Sequence, residues 1–434
     1  MDINSIAYSN RKKHLIDLPT LGLCLIVGLS FLLHLFTRIF SGYAYAVLLA
    51  FFTVIFIFSR RVVLKAGNRL AQIWLLAVVT LVISFLHSQR SNGALLDVIV
   101  FTCGFLLLLF HSNNENVYAR CIKLIKLLGI FFAIGVLIQR FLPTLYRLVI
   151  TVFPAAYRAS LTSGDRSGFT LNAGYSAGYI IAGLLAVLAE RPLSGSKRLR
   201  DYILPGIFLI ALFLTGKRGP VMFMILTVVY CYLAPVKGSR KVTRYWRIFL
   251  VVLFAVIILW AFRDALSSIP IIGRTLNSIA GIIDGEDITT GRTRLYVWAL
   301  ELFRRNPIFG IGWGRYRTTV VGNVTLVKDL ETHNIYLQLL AETGLIGFIV
   351  FVTTFIIFWN ATRIAYCDCF QNKRASTAIW QKLLFFSLAY QTYFLLYGLT
   401  GNPLFDSHFQ IMYIFSCLII IAFKSVRENI FENY

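Results

Sequence analysis

The stretch LIDLPTLGLCLIVGLSFLLHLF, residues 15–36, decides how the chain is read. A helix rises ~1.5 Å per residue, so about 20 mostly apolar residues reach across the hydrocarbon of a bilayer. This run is long enough to do so. No small-residue cleavage site follows it, so it is expected to stay in place, with the mature protein beginning near Met1. Similar runs recur at 42–59, 70–87, 95–111, 124–142, 173–189, 202–216, 219–235, 248–263, 335–359, 383–400 and 408–423. With 58% hydrophobic and 14% charged residues, the 434-residue chain holds more apolar surface than a water-soluble domain could cover. The expected fold is all-α: a polytopic membrane protein of twelve transmembrane helices, a single transmembrane domain over 1–434.

An even number of spans puts both termini on one side. Lys and Arg gather between alternate runs, at 11–13, 60–69, 120–126, 191–200, 237–247, 363–382 and 424–427. Short loops rich in Lys and Arg stay cytoplasmic, so both ends are expected to be cytoplasmic. The same rule accounts for the net charge of +23 without nucleic acid. No basic stripe interleaved with stacking aromatics is present, and no nucleic-acid partner is expected. The seven cysteines fall outside the expected outer loops, and Cys367-x-Cys369 lacks the further ligands of a zinc site.

The other side carries a different kind of cation. Of the 17 basic residues outside the inner set, 15 are Arg and only Lys217 and Lys328 are Lys. Topology does not distinguish the two, whereas forked binding of phosphate or carboxylate does. Arg38, Arg140 and Arg263 have a plainer explanation, as helix-end residues reaching to head groups. Two outer loops are long, 143–172 and 264–334, and long ordered loops usually carry function. The first is expected to open with an interfacial helix and ends in a Gly, Ser and Asn turn region holding Arg166. The second is expected to carry an amphipathic helix at 292–305, capped by Thr289 or Thr290, stopped by Asn306-Pro307, and lying near the membrane interface.

Within these loops a few residues could carry chemistry. Lys217 and Arg218 sit in a tight turn against hydrocarbon, where an unpaired charge is costly. Gly310, Gly312 and Gly314 resemble a phosphate-cradling loop, but no strand precedes them and no GK[ST] follows. They are expected to make a compact turn that returns the chain to the membrane, with Trp313 at the interface. His333 is the lone His of the two loops, and an imidazole can take a proton from a hydroxyl near neutral pH. It could equally be a helix cap. Asn334 is expected to cap the helix that follows, and Glu342 to be paired with an outer Arg. Asp284, Glu286 and Asp287 read better as a solvated loop than as a divalent-ion site.

Taken in order, several motifs resemble one known family. They are R-x-G-F-x-x-N at 166–172, T-G-x-R-G at 215–219, G-R-T-R-x-x-x-W at 291–298, N-P-x-x-G-I-G-W-G at 306–314 and H-N-x-Y-L-Q-x-L-x-E-x-G-x-x-G at 333–347. Together they resemble the O-antigen ligase/polymerase family of bacterial surface polysaccharide (lipopolysaccharide) assembly. The resemblance covers about residues 160–350, while the flanking helices match only as helices. It implies an inverting glycosyltransferase of the bacterial inner membrane with a periplasmic active site, working without a metal or cofactor. The partners it implies are an undecaprenyl-diphosphate-linked oligosaccharide and membrane lipid, with a chain-length regulator as a further candidate. Carried over by position, Arg166, Arg218, Arg292, Arg294 and Arg315 would hold the diphosphate, His333 would activate the acceptor hydroxyl with Arg218 beside it, and Lys217, Asn334 and Glu342 would support them. The leading expectation is a polymerase that moves the glycan to the hydroxyl of another lipid-linked repeat unit. The alternatives are a ligase that moves it to lipid A core and, more remotely, a flippase for the same lipid-linked sugars. A flippase would want charges along a midplane path, and Asp97 is the main intramembrane charge.

Overall fold

The computed structural model describes residues 17–36, 42–59, 62–64, 68–88, 92–152, 166–190, 200–236, 242–243, 245–247, 250, 292–318, 320–321, 324–325, 331–371 and 378–432. Its helices are α1 (Leu18–Phe36), α2 (Gly42–Ile57), α3 (Arg69–His87), α4 (Asn92–Leu109), α5 (Glu115–Phe141), α6 (Pro143–Ile150), α7 (Ala173–Glu190), α8 (Arg200–Leu214), α9 (Arg218–Leu233), α10 (Arg292–Arg305), α11 (Ile335–Gln371), α12 (Ala378–Tyr397) and α13 (Ser407–Glu432). Two short antiparallel pairs accompany them among the described residues: β1 (Val62–Leu64) with β2 (Phe110–Ser112), and β3 (Val320–Val321) with β4 (Val324–Thr325). Apart from residue 250, the apolar run at 248–263 lies outside the described residues, as does the acidic cluster at 284–287.

Every other apolar run has a helical counterpart, though some helices outlast their hydropathy. α5 starts at Glu115, because Asn114 caps it by accepting from the Asn116 N–H at 3.1 Å. Buried Val117, Tyr118, Cys121 and Ile122 keep its first turns packed where Arg120 and Lys123 had hidden the helix from hydropathy. α11 runs on past 359 to Gln371, since no Gly or Pro intervenes and Thr362, Ala365, Tyr366 and Cys369 stay buried at helical spacing. Among the described residues, five helices are long and apolar enough to cross a membrane: Arg69–His87, Glu115–Phe141, Ala173–Glu190, Ile335–Gln371 and, over Ser407–Glu428, most of α13. Leu18–Phe31, Ala44–Ile57, Ala94–Leu109, Asp201–Leu214 and Arg218–Leu233 are apolar but shorter.

The outward faces explain the solvent. α3 turns Trp74 and Leu81 inward and Leu76 and Ile83 outward, and α11 exposes Leu345, Ile346, Ile349 and Ile356 while burying Phe351, Phe355 and Phe358. A helix apolar on both faces suits hydrocarbon, not water. Apolar burial then gains little, and close packing must join the helices. α5 and α7 meet at Gly129 and Gly183, where a Cβ on Gly129 would stand 2.5 Å from the Gly183 Cα. Aromatic stacks finish the core: Tyr179 lies 4.8 Å from Phe31 and 4.5 Å from Phe132, and Trp74 lies 5.5 Å from Phe101, ring centre to ring centre.

One end of the bundle carries the β1–β2 pair and the Lys126–Glu190 ion pair. At the other end α11 begins against the end of α12, with the Ile335 N–H donating to the Gly398 carbonyl at 2.9 Å. α7 reaches the α12–α13 connection there, as Tyr175 donates to Asp406 Oδ1 at 3.3 Å. The α8–α9 turn and α10 join the same end.

Candidate active site

His333 stands just before α11. It is not the helix cap, because Asn334 Oδ1 accepts from the N–H groups of Tyr336 at 3.0 Å and Leu337 at 3.1 Å. Its φ of +53° makes it the one non-glycine residue at positive φ among the described residues. Such backbone is held only where its surroundings over-determine it, and they do so here. Buried Thr332 accepts from the Asn334 N–H at 3.1 Å and lies 3.1 Å from Gln338 Oε1, which also accepts from Asn402 at 2.9 Å. Burial, and then the nearby charges of Arg292 and Lys217, hold the imidazole below its ordinary value of 6.5. At neutral pH it is an uncharged proton acceptor.

The cations come from two separate elements. Arg292, first residue of α10, donates from Nη1 to the Thr400 carbonyl at 3.0 Å. A Cβ on Gly219 would stand 3.2 Å from the Thr400 hydroxyl, so the start of α9 meets the same residue. Lys217 occupies the N-cap position of α9 without a side-chain cap bond, and Arg218 follows it. An anion placed there would face Lys217, Arg218, Arg292 and the positive end of a helix. His333 adjoins this group, since the charges of Arg292 and Lys217 both reach it.

The other sequence-proposed arginines have no contact with His333 among the described residues. Arg166 occupies the same end of the bundle on the α7 side. Its neighbour Ser167 accepts from Ser176, and Gly168 donates to Gln139 Oε1 at 2.8 Å and accepts from the Tyr146 hydroxyl at 2.6 Å. Arg294 lies over the Trp298 ring, 4.8 Å from its centre. Arg315 turns back toward the Ile311 carbonyl, 3.5 Å away. Among the described residues no contact ties these three to His333.

The glycine-rich loop does cradle acceptor oxygens, but they are the protein's own. Glu342 Oε2 accepts from the Gly314 N–H at 2.9 Å, and Oε1 accepts from the Tyr316 N–H at 3.1 Å and from Gln338 at 3.3 Å. Its bonded partners are therefore backbone and amide groups in place of the expected Arg. The loop enters a break in α11 at Gly344, whose φ is +64° and ψ −167°. Ile311 donates to the Ala341 carbonyl at 3.0 Å, Gly312 to that of Glu342 at 2.9 Å, and Leu345 to that of Pro307 at 2.9 Å. Gly310 and Gly344 must both be glycine: each has positive φ, and a Cβ on either would overlap the other strand's backbone. Trp313, expected from sequence at the interface, is not there. It is fully buried, with Nε1 donating to Asp97 Oδ2 at 2.9 Å, while Gln410 holds Asp97 Oδ1 at 2.8 Å. The apolar stripe of α10 is likewise covered by protein, with Ala299 and Leu302 packing on Ile311, Tyr316 and Ala341.

Sequence reasoning passed over Arg317, Tyr397, Thr400 and Asp406. Arg317 pairs with Glu331, two residues before His333, and its charge reaches Asp97, Glu342 and Asp406. Burial pushes the Asp406 carboxyl up to about 6, against the pull of Arg317 and of the Tyr175 hydroxyl. Tyr397 links the two groups, lying within reach of both Asp406 and Arg292. The available signals were the Arg excess of the outer face and an acid at the mouth of an apolar run.

No curated protein matches the chain. The family model described as O-antigen ligase matches residues 205–352. That stretch holds Lys217, Arg218, Arg292, the glycine-rich loop, His333 and the Gly344 break, and over it the chain is similar to the O-antigen ligase family.

Proposed function

We propose that this protein is a surface-polysaccharide polymerase of the bacterial inner membrane, with both termini cytoplasmic and the site on the periplasmic side. It transfers a glycan from undecaprenyl diphosphate to a hydroxyl of another lipid-linked repeat unit. The hydroxyl oxygen attacks the anomeric carbon from the face opposite the leaving group, and the bond from that carbon to the diphosphate oxygen breaks. His333 takes the hydroxyl proton. Undecaprenyl diphosphate leaves with the bonding electron pair, and its growing charge is met by Arg218, Lys217, Arg292 and the α9 N-terminus. Arg166, Arg294 and Arg315 serve the rest of the donor head group.

The observation that carries this reading is the neutral imidazole of His333 beside the cations of α9 and α10 around Thr400. Base and leaving-group binder must adjoin for one displacement to use both. Asp97 and Glu342 are each held by hydrogen bonds within the fold, which favours an enzyme over a flippase with a charged midplane path.

The family description favours one second reading, a ligase that uses lipid A core as acceptor. Purified protein is to be given lipid-linked repeat units alone, and then with lipid A core. Chain growth without core is the expected result. Transfer that begins only when core is added makes the protein a ligase, and no transfer with either acceptor sinks both readings.

A further inference from the structure

The end of the bundle opposite His333 holds a pocket of about 380 Å³ between the start of α3 and the end of α13. Its polar lining is Asn68, Arg69, Lys424, Ser425 and Glu428, over a floor of Leu70 and Ile421, which are 5% and 0% exposed. Arg69 is the first residue of α3, and Lys424 directly follows the apolar run of α13. Both helices are among those long and apolar enough to cross the membrane, so the pocket opens where hydrocarbon gives way to head groups.

Three features point to a phosphoryl anion. Arg69 and Lys424 supply two cations, and neither is ion-paired among the described residues. The first turn of α3 presents its backbone N–H groups at the same place, and Asn68 Oδ1 occupies only that of Leu70, at 3.0 Å. Independently of both, the Ser425 hydroxyl is buried, its residue only 3% exposed, and has no hydrogen-bond partner among the described residues. A buried hydroxyl without a partner is unfavourable, and a ligand oxygen in the pocket would supply one.

The apolar floor suits a molecule with a lipid tail. We propose that this pocket binds the phosphodiester head group of a membrane phospholipid.

Full-length protein in maltoside micelles, which contain no phosphate, allows the test. It is titrated with phosphatidylethanolamine, with diacylglycerol of the same chains and with inorganic phosphate, and binding is read from bound-lipid peaks in native mass spectrometry and from the thermal midpoint. The phospholipid should bind and raise the midpoint, and diacylglycerol should not. Arg69→Gln combined with Lys424→Gln should weaken binding about tenfold or more, as loss of charge-assisted bonds does. Equal binding by wild type and the double variant overturns the proposal. A shift produced by inorganic phosphate alone overturns the lipid in favour of a soluble anion. Should the double variant aggregate, Ser425→Ala decides in the same titration, and unchanged affinity in that variant counts against the pocket.

Discussion

His333 combines an easily read identity with a setting that sequence could not supply. A lone imidazole before an apolar run is visible in the sequence. Its left-handed backbone, its burial and its cationic neighbours depend on Thr400 and Lys217, which lie 67 residues after it and 116 before it in the chain. These neighbours set a pH dependence. If the uncharged imidazole accepts the proton, transfer should hold as pH falls through the ordinary 6.5 and decline only below it, because burial, Arg292 and Lys217 all disfavour the charged ring. Arg292→Gln removes one of those charges, so its acidic limb should move to higher pH while the maximal rate also drops. A rate–pH profile in which that limb stays put would mean that His333 does not supply the base.

At the scale of elements, the helices were largely legible because a hydrocarbon environment leaves few alternatives to them. Their ends were less so. The start of α5 was masked by Arg120 and Lys123, whose charge lowers hydropathy without disturbing the helix. The break in α11 was invisible because E-T-G-L-I-G reads as continuous helix until another segment is seen to enter it. The glycine-rich loop was recognised as a cradle, but sequence gave no hint that the oxygens it holds would be those of Glu342. Gly310→Ala should therefore damage more than a loop. Backbone strain at φ +70° costs about 1–3 kcal/mol, and the added methyl also overlaps the backbone at Glu342. The variant should melt several degrees lower and lose transfer activity, measurable by thermal unfolding in detergent and by chain growth. Gly206, with open space around it, is the matched control, and its Ala variant should retain both.

For the whole molecule, composition alone excluded a soluble protein, and the Arg excess suggested an anion site. Neither could reveal which distant segments meet. The parts around His333 are contributed by the α8–α9 turn, α10, the start of α11 and the α12–α13 connection, and the last of these is synthesised after everything in the family-matching stretch. The order of biosynthesis thus gives the site a completion step. Until residues 398–406 emerge, Arg292 lacks the Thr400 carbonyl, Ile335 lacks the Gly398 carbonyl, and Tyr175 lacks Asp406. A nascent chain that ends at Gln371 should insert yet make no polymer, while the remaining helices supplied in trans should restore chain growth. A site closed by its last helical hairpin stays open on that side until the hairpin has been made.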